Sequence, residues 1–156
     1  CVPLLVAGFT FRYSRPLRSK KVSAPTLKRA EPVRICSSYP AVKSSFNLSA
    51  VNGLVGIPGL APYTVAKHGI IGLTQTAALE FASQGIRINA VAPGYVQTPR
   101  MTEFPENIVR SFANSHPMKR MATMQEIADF ILFLLSDKSA FCTGGVYPID
   151  GGYLAE

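Results

Sequence analysis

The sequence predicts an α/β fold on a parallel sheet, and three observations support this. Short β-branched or apolar runs at 46–49, 86–91 and 146–149 read as strands bounded by glycine and proline. Two longer stretches carry apolar residues at three- and four-residue steps, the period of a helix packed on one face. Their order is strand, helix, strand, long loop, helix, strand, the order of a parallel sheet covered by helices.

Phe46-Asn47-Leu48-Ser49 reads as the end of a buried strand, followed by a loop punctuated by Gly53, Gly56, Pro58 and Gly59. A helix is expected over residues 63–83, with Ala66, Ile70, Leu73, Ala77 and Phe81 as its packed stripe. Gly85 sits where a left-handed cap ends such a helix. The next strand, Ile86 to Val91, stops at Pro93-Gly94. A connection of about 28 residues, from Tyr95 to Ala122, carries three prolines and a short helix over 106–113. Thr123 and Glu126 form a capping box for the clearest helix, striped by Ile127, Phe130, Ile131, Leu134 and Leu135. Gly144-Gly145 precedes the last strand, which Asp150-Gly151-Gly152 closes.

Charge divides the chain into two pieces. Residues 1–46 hold nine Lys and Arg against one acid, whereas residues 47–156 hold seven against eight. The net charge of +7 therefore belongs to the N-terminal stretch. That stretch shows no sustained period and is broken by Pro3, Pro16, Pro25, Pro32 and Pro40. It is read as a disordered or non-native leader, with a targeting peptide and a basic nucleic-acid arm as the alternatives. The start at Cys1 is read as a truncation. At 47% apolar and 16% charged residues, the chain has material for a core. No apolar run reaches the roughly 20 residues of a membrane span. Cys1, Cys36 and Cys142 are widely separated, and with two histidines they suggest neither a disulfide framework nor a metal site. A reducing, cytoplasmic setting is expected, with no nucleic-acid or membrane partner.

Tyr63 and Lys67 are four apart and project from one helical face. A phenol beside an ammonium is favoured as its phenolate, which suits it to acid–base work on an alcohol or carbonyl oxygen. The spacing alone equally describes an exposed aromatic beside a solvated lysine.

Further text agrees with the catalytic reading. Tyr63-Thr64-Val65-Ala66-Lys67, Gly85-Ile86-Arg87-Ile88-Asn89-Ala90-Val91-Ala92-Pro93-Gly94, Thr143-Gly144-Gly145 and Ile149-Asp150-Gly151-Gly152 follow one another over about 110 residues. In this the chain resembles the short-chain dehydrogenase/reductase family, nicotinamide-dependent oxidoreductases on a Rossmann-type sheet. The resemblance implies the C-terminal part of such a domain, residues 47–156, with the glycine-rich half missing. It implies that Tyr63 transfers the proton and that Lys67 holds the nicotinamide ribose. Pro93, Gly94, Val96 and Thr98 match the turn that meets the nicotinamide carboxamide. Residues 101–118 match the variable substrate loop, and Asp150 to Gly152 are structural.

Two departures stand out. The family's serine that polarises the substrate oxygen is expected thirteen residues before the tyrosine, at Ala50. Ser49 is one place early and points the other way along a regular strand, so either a bulge re-aims it or that donor is missing. The second departure is the phosphate loop. Gly53, Gly56 and Gly59 follow a late strand and read as a turn near the substrate rather than a cradle for pyrophosphate. The strand end that tells NAD from NADP is absent as well. The Phe46 strand is expected to show an unpaired edge. His68 is read as an exposed structural residue, and His116, inside the substrate loop, is assigned no role.

The function expected is oxidoreduction of an alcohol/carbonyl pair with NAD or NADP, by a chain read as a fragment. The alternatives are a non-catalytic remnant that only associates with other subunits, and a basic arm as the working part. A small-molecule alcohol or ketone is the expected partner, and the full-length form is expected to be a homo-oligomer.

Overall fold

The computed structural model describes residues 43–155. The readings of a leader, a targeting peptide or a basic arm cover residues 1–46, of which 1–42 lie outside the described residues. Strand β1 (Ser44–Leu48) begins within the stretch assigned to the leader, so residues 44–46 belong to the sheet. Helix α1 (Ala61–Phe81) follows, then β2 (Arg87–Pro93), a short β3 (Val96–Gln97), α2 (Glu106–Asn114), a short β4 (Ala122–Thr123), α3 (Met124–Leu135) and β5 (Val146–Ile149).

The main sheet has the order β1–β2–β5 and is parallel throughout. Leu48 pairs with Val91, and Ala90 pairs with Val146. Central β2 has Ala90, Val91 and Ala92 at 0% exposure. A parallel strand covered on both faces needs such unbroken apolar text rather than alternation. The helices lie on opposite faces of β1. Ser44 Oγ donates to the Leu134 carbonyl in the last turn of α3, and Asn47, of opposite facing, donates to Thr74 Oγ1 of α1. Arg87 closes the end of α3 by donating to the carbonyls of Leu134 and Ser136 at 2.8 and 2.9 Å, a cation at a helix C-terminus.

The expected helix 63–83 starts two residues earlier, with Pro62 in its first turn, and ends at Phe81; a 3-10 turn, Ala82–Gln84, then leads to Gly85 in the left-handed region (φ 75°). Its packed stripe differs from the expected one. Ala66 and Leu73 are exposed, whereas Thr74 and Ala78 are buried. A polar residue can occupy the core here because Thr74 donates to the Ile70 carbonyl while accepting from Asn47. The capping box of α3 is present: Glu126 N–H donates to Thr123 Oγ1, and Thr123 N–H donates to the Glu126 carboxylate. Ile127 and Leu134 of its stripe are buried, and Leu135 is exposed. Among the described residues, β1 pairs only with β2, and Leu48 at its end is half-exposed. No described helix is long and apolar enough to cross a membrane.

Candidate active site

Tyr63 stands in the first turn of α1, half-exposed, at the wall of a cavity of about 440 Å3. Residues after β1, Pro93 and Gly94 at the end of β2, and Met101 and Phe104 in the following loop complete that wall. Lys67, one turn along the same face, holds its Nζ 5.4 Å from the Tyr63 ring centroid. The ammonium donates to the Leu48 carbonyl at 3.0 Å, tying α1 to the end of β1. Burial pushes the Lys67 pKa below the ordinary lysine range. An ammonium has three donors, so two stay available for a ligand. This donor set, beside a phenol and at strand ends, fits the hydroxyls of a ribose.

Ser49 is not brought into the cavity. It is 3% exposed, its N–H continues the ladder to the Val91 carbonyl, and its Oγ donates to the Lys67 carbonyl at 3.0 Å. The backbone at Ala50 is extended, with no bulge to re-aim the hydroxyl. Ala50 itself lines the cavity and presents only a methyl group there. Gly53 also proves to be a packing residue: a Cβ on it would lie 2.8 Å from the Lys67 carbonyl and would strike Ser49 Oγ.

Pro93 and Gly94 line the cavity, but the Gly94 N–H is engaged with the Ile149 carbonyl at 3.1 Å. Val96 pairs with Ala122 in the small β3–β4 ladder. Thr98 precedes a short 3-10 turn, Pro99–Glu103, and its side chain does not cap it. Neither Val96 nor Thr98 is among the cavity's lining residues. His68 is exposed and donates Nδ1–H to the Thr64 carbonyl.

His116, assigned no role from the sequence, is a buried packing residue. It is 2% exposed, donates Nδ1–H to the Phe112 carbonyl at 2.9 Å and accepts the Tyr95 N–H on Nε2 at 3.1 Å. Those two bonds define a neutral ring with its proton on Nδ1. Tyr95 stacks on Phe112 with centroids 4.4 Å apart, packing α2 against the chain that leaves β2. The signal available was a histidine before proline in a loop otherwise poor in polar core residues. Asp150 accepts from the N–H groups of Gly152 and Leu154, in keeping with a structural role for the closing turn. Among the described residues, no cluster of His, Cys, Asp or Glu could hold a metal ion.

Known proteins share this chain's sequence pattern and fold. The family model described as Enoyl-(Acyl carrier protein) reductase matches residues 26–154. A cyclohexanol dehydrogenase of an Acinetobacter species is 44% identical over 110 residues, covering 70% of this chain and 43% of the relative. A 3-oxoacyl-(acyl-carrier-protein) reductase of Thermotoga maritima is 44% identical over 109 residues, covering 70% and 44%. The chain thus spans less than half the length of these relatives. Among solved structures, ElxO with NADP bound aligns with TM-score 0.66 at 41% identity, over 72% of this chain and 47% of that one. A 4-hydroxyisoleucine dehydrogenase complexed with NADH aligns with TM-score 0.63 at 34% identity, over the same shares. The described sheet is accordingly part of a Rossmann-type α/β fold.

Proposed function

The chain belongs to the short-chain dehydrogenase/reductase family, and on that premise we propose that the cavity beside Tyr63 is its site of alcohol/carbonyl oxidoreduction. The observation that carries this reading is the Tyr63–Lys67 pair on one helical face, with the phenol at the wall of a mostly apolar cavity. NAD or NADP, when bound, supplies or accepts the hydride. Tyr63 gives a proton to, or takes one from, the substrate oxygen. Lys67 holds the ribose hydroxyls with its free donors and places positive charge beside the phenol. Pro93 and Gly94, with Val96 and Thr98 beyond them, are the positions that would meet the carboxamide. A neutral secondary alcohol or ketone suits walls made largely of Leu60, Met101 and Phe104.

Titration of the purified chain with NADH and NADPH, followed by nicotinamide fluorescence, tests cofactor binding. Saturable binding is expected, and a flat titration would refute it. Turnover of cyclohexanol tests the proton-transfer role, with Tyr63→Phe expected to lose at least about 100-fold. Near-normal turnover in that variant would remove Tyr63 from the role.

A second reading is favoured by the outer face of α1, where Val65, Leu73 and Leu79 are 72%, 63% and 84% exposed. That much apolar surface on one helix suits association with another subunit. In this reading the chain works as a homo-oligomer through α1 and β5, and association precedes any catalysis. Sedimentation of the chain against Leu79→Glu separates the two: a drop to monomer supports association, and no change in mass refutes it.

A further inference from the structure

The chemistry proposed for the cavity calls for a neutral hydrogen-bond donor to the substrate oxygen besides Tyr63. The position expected to supply it carries Ala50, and the adjacent Ser49 hydroxyl is engaged with the Lys67 carbonyl outside the cavity. Four lining residues bring polar side chains: Asn52, Tyr63, Tyr95 and Arg100. Tyr63 is the proton-transfer residue, and Arg100 sits 3.6 Å from the Glu103 carboxylate. Burial, with the nearby Tyr153, pushes the Tyr95 phenol above the usual tyrosine range. Its ring is held against Phe112.

Asn52 differs from the other three. It lies two residues after Ala50 in the 3-10 turn Val51–Gly53, is 6% exposed, and its Nδ2 has no hydrogen-bond partner among the described residues. The nearby carbonyl acceptors do not relieve it: those of Ala50 and Val51 accept from the Gly53 and Leu54 N–H groups. A buried amide donor without an acceptor is rare and calls for a ligand, a water or a rotation to satisfy it. Rotation about the last side-chain bond exchanges Oδ1 and Nδ2, so a single amide can turn its donor toward the cavity.

We propose that Asn52 is the donor to the substrate oxygen in this chain, serving from position 52 where position 50 carries only a methyl group. The assignment rests on the reading of this cavity as the alcohol/carbonyl site. It also sharpens the substrate class. A neutral amide and a phenol on one largely apolar lining select a neutral carbonyl or hydroxyl oxygen rather than a carboxylate.

Cyclohexanone is the probe, and nuclear magnetic resonance of the whole chain reads the Met101 methyl and the Asn52 side-chain amide together. Both signals are expected to shift along one saturation curve, the amide protons downfield. A Met101 shift with an unmoved Asn52 amide would overturn the assignment while leaving the cavity reading intact. Silence from both would overturn the two together. Asn52→Ala is expected to weaken cyclohexanone binding by about fivefold to tenfold, and adding Ala50→Ser to restore most of it. A double variant no tighter than Asn52→Ala would count against the proposal. Asn52→Leu, of the same branched shape, repeats the comparison if the alanine variant fails to fold.

Discussion

Tyr95 stands between two cavities built to different standards. On one side lies a space of about 150 Å3 lined by His116, Arg120, Glu126 and Asp150, among others. The polar side chains there are paired: both His116 nitrogens, both Asp150 oxygens, and Glu126 held by Arg120 and Thr123. On the other side lies the space of about 440 Å3 with Tyr63 half-exposed and Asn52 Nδ2 unpartnered. Satisfied buried polar groups fix a structure, whereas an unsatisfied one on a cavity's lining leaves bonding capacity for a ligand or water. The difference favours the larger space as the site proposed above.

The largest test of that division is His116→Ala. It strands the Phe112 carbonyl and the Tyr95 N–H and leaves a void, at a cost of about 3 kcal/mol, read as a lower urea midpoint. A loss under about 1 kcal/mol would mean the ring is no bolt. Gly53→Ala comes next, at about 2 kcal/mol, because its Cβ would press on the Lys67 carbonyl and the Ser49 hydroxyl. That variant should also disturb Lys67, so weaker nicotinamide binding is expected with it.

Ser49→Ala distinguishes a structural serine from a substrate donor. Loss of its bond to the Lys67 carbonyl is expected to cost about 1 kcal/mol in thermal or urea unfolding, with turnover per folded molecule little changed. A hundredfold fall in turnover without loss of stability would restore Ser49 to the cavity. The smallest effect concerns Glu126. Its hydrogen bonds to Arg120 and Thr123 hold its carboxyl well below the ordinary value of 4.5, to about 2. A depressed folded-state value means the contribution is whole above about pH 4.5 and fades as pH falls toward 2. Carboxyl resonances followed from pH 6 to 1.5 should show Glu126 titrating last. A midpoint near 4.5 would show that the capping box is open in solution.

Much of the scaffold was legible in the sequence because local rules govern it. Gly85 as the helix stop, Thr123 with Glu126 as the start of α3, and the three strands each depend on a few neighbouring residues. The face of α1 was not legible. Ala66 and Leu73 look like core and Thr74 does not, yet Thr74 is buried because Asn47, 27 residues away, completes its hydrogen bonding. The Tyr63–Lys67 pair was legible from spacing. The fates of Ser49 and His116 were not, since both depend on carbonyls and amides that only the fold brings near. Asn52 left a faint trace, a lone amide in the apolar text between Ala50 and Gly53.

The strand order has a kinetic consequence. Leu48 meets Val91 across 43 residues of chain, and Ala90 meets Val146 across 56, so the sheet contains no local pair from which to begin. Each ladder must wait for a long loop to close, which makes assembly slow compared with that of a helical bundle of equal length. Both ladders share β2, so neither outer strand can dock before β2 is in place. A substitution that disturbs β2 should therefore slow refolding, whereas one confined to β5 should mainly speed unfolding. Apolar residues such as Val65, Leu73 and Leu79 stay open to other chains during that wait, so the refolding yield is expected to rise on dilution.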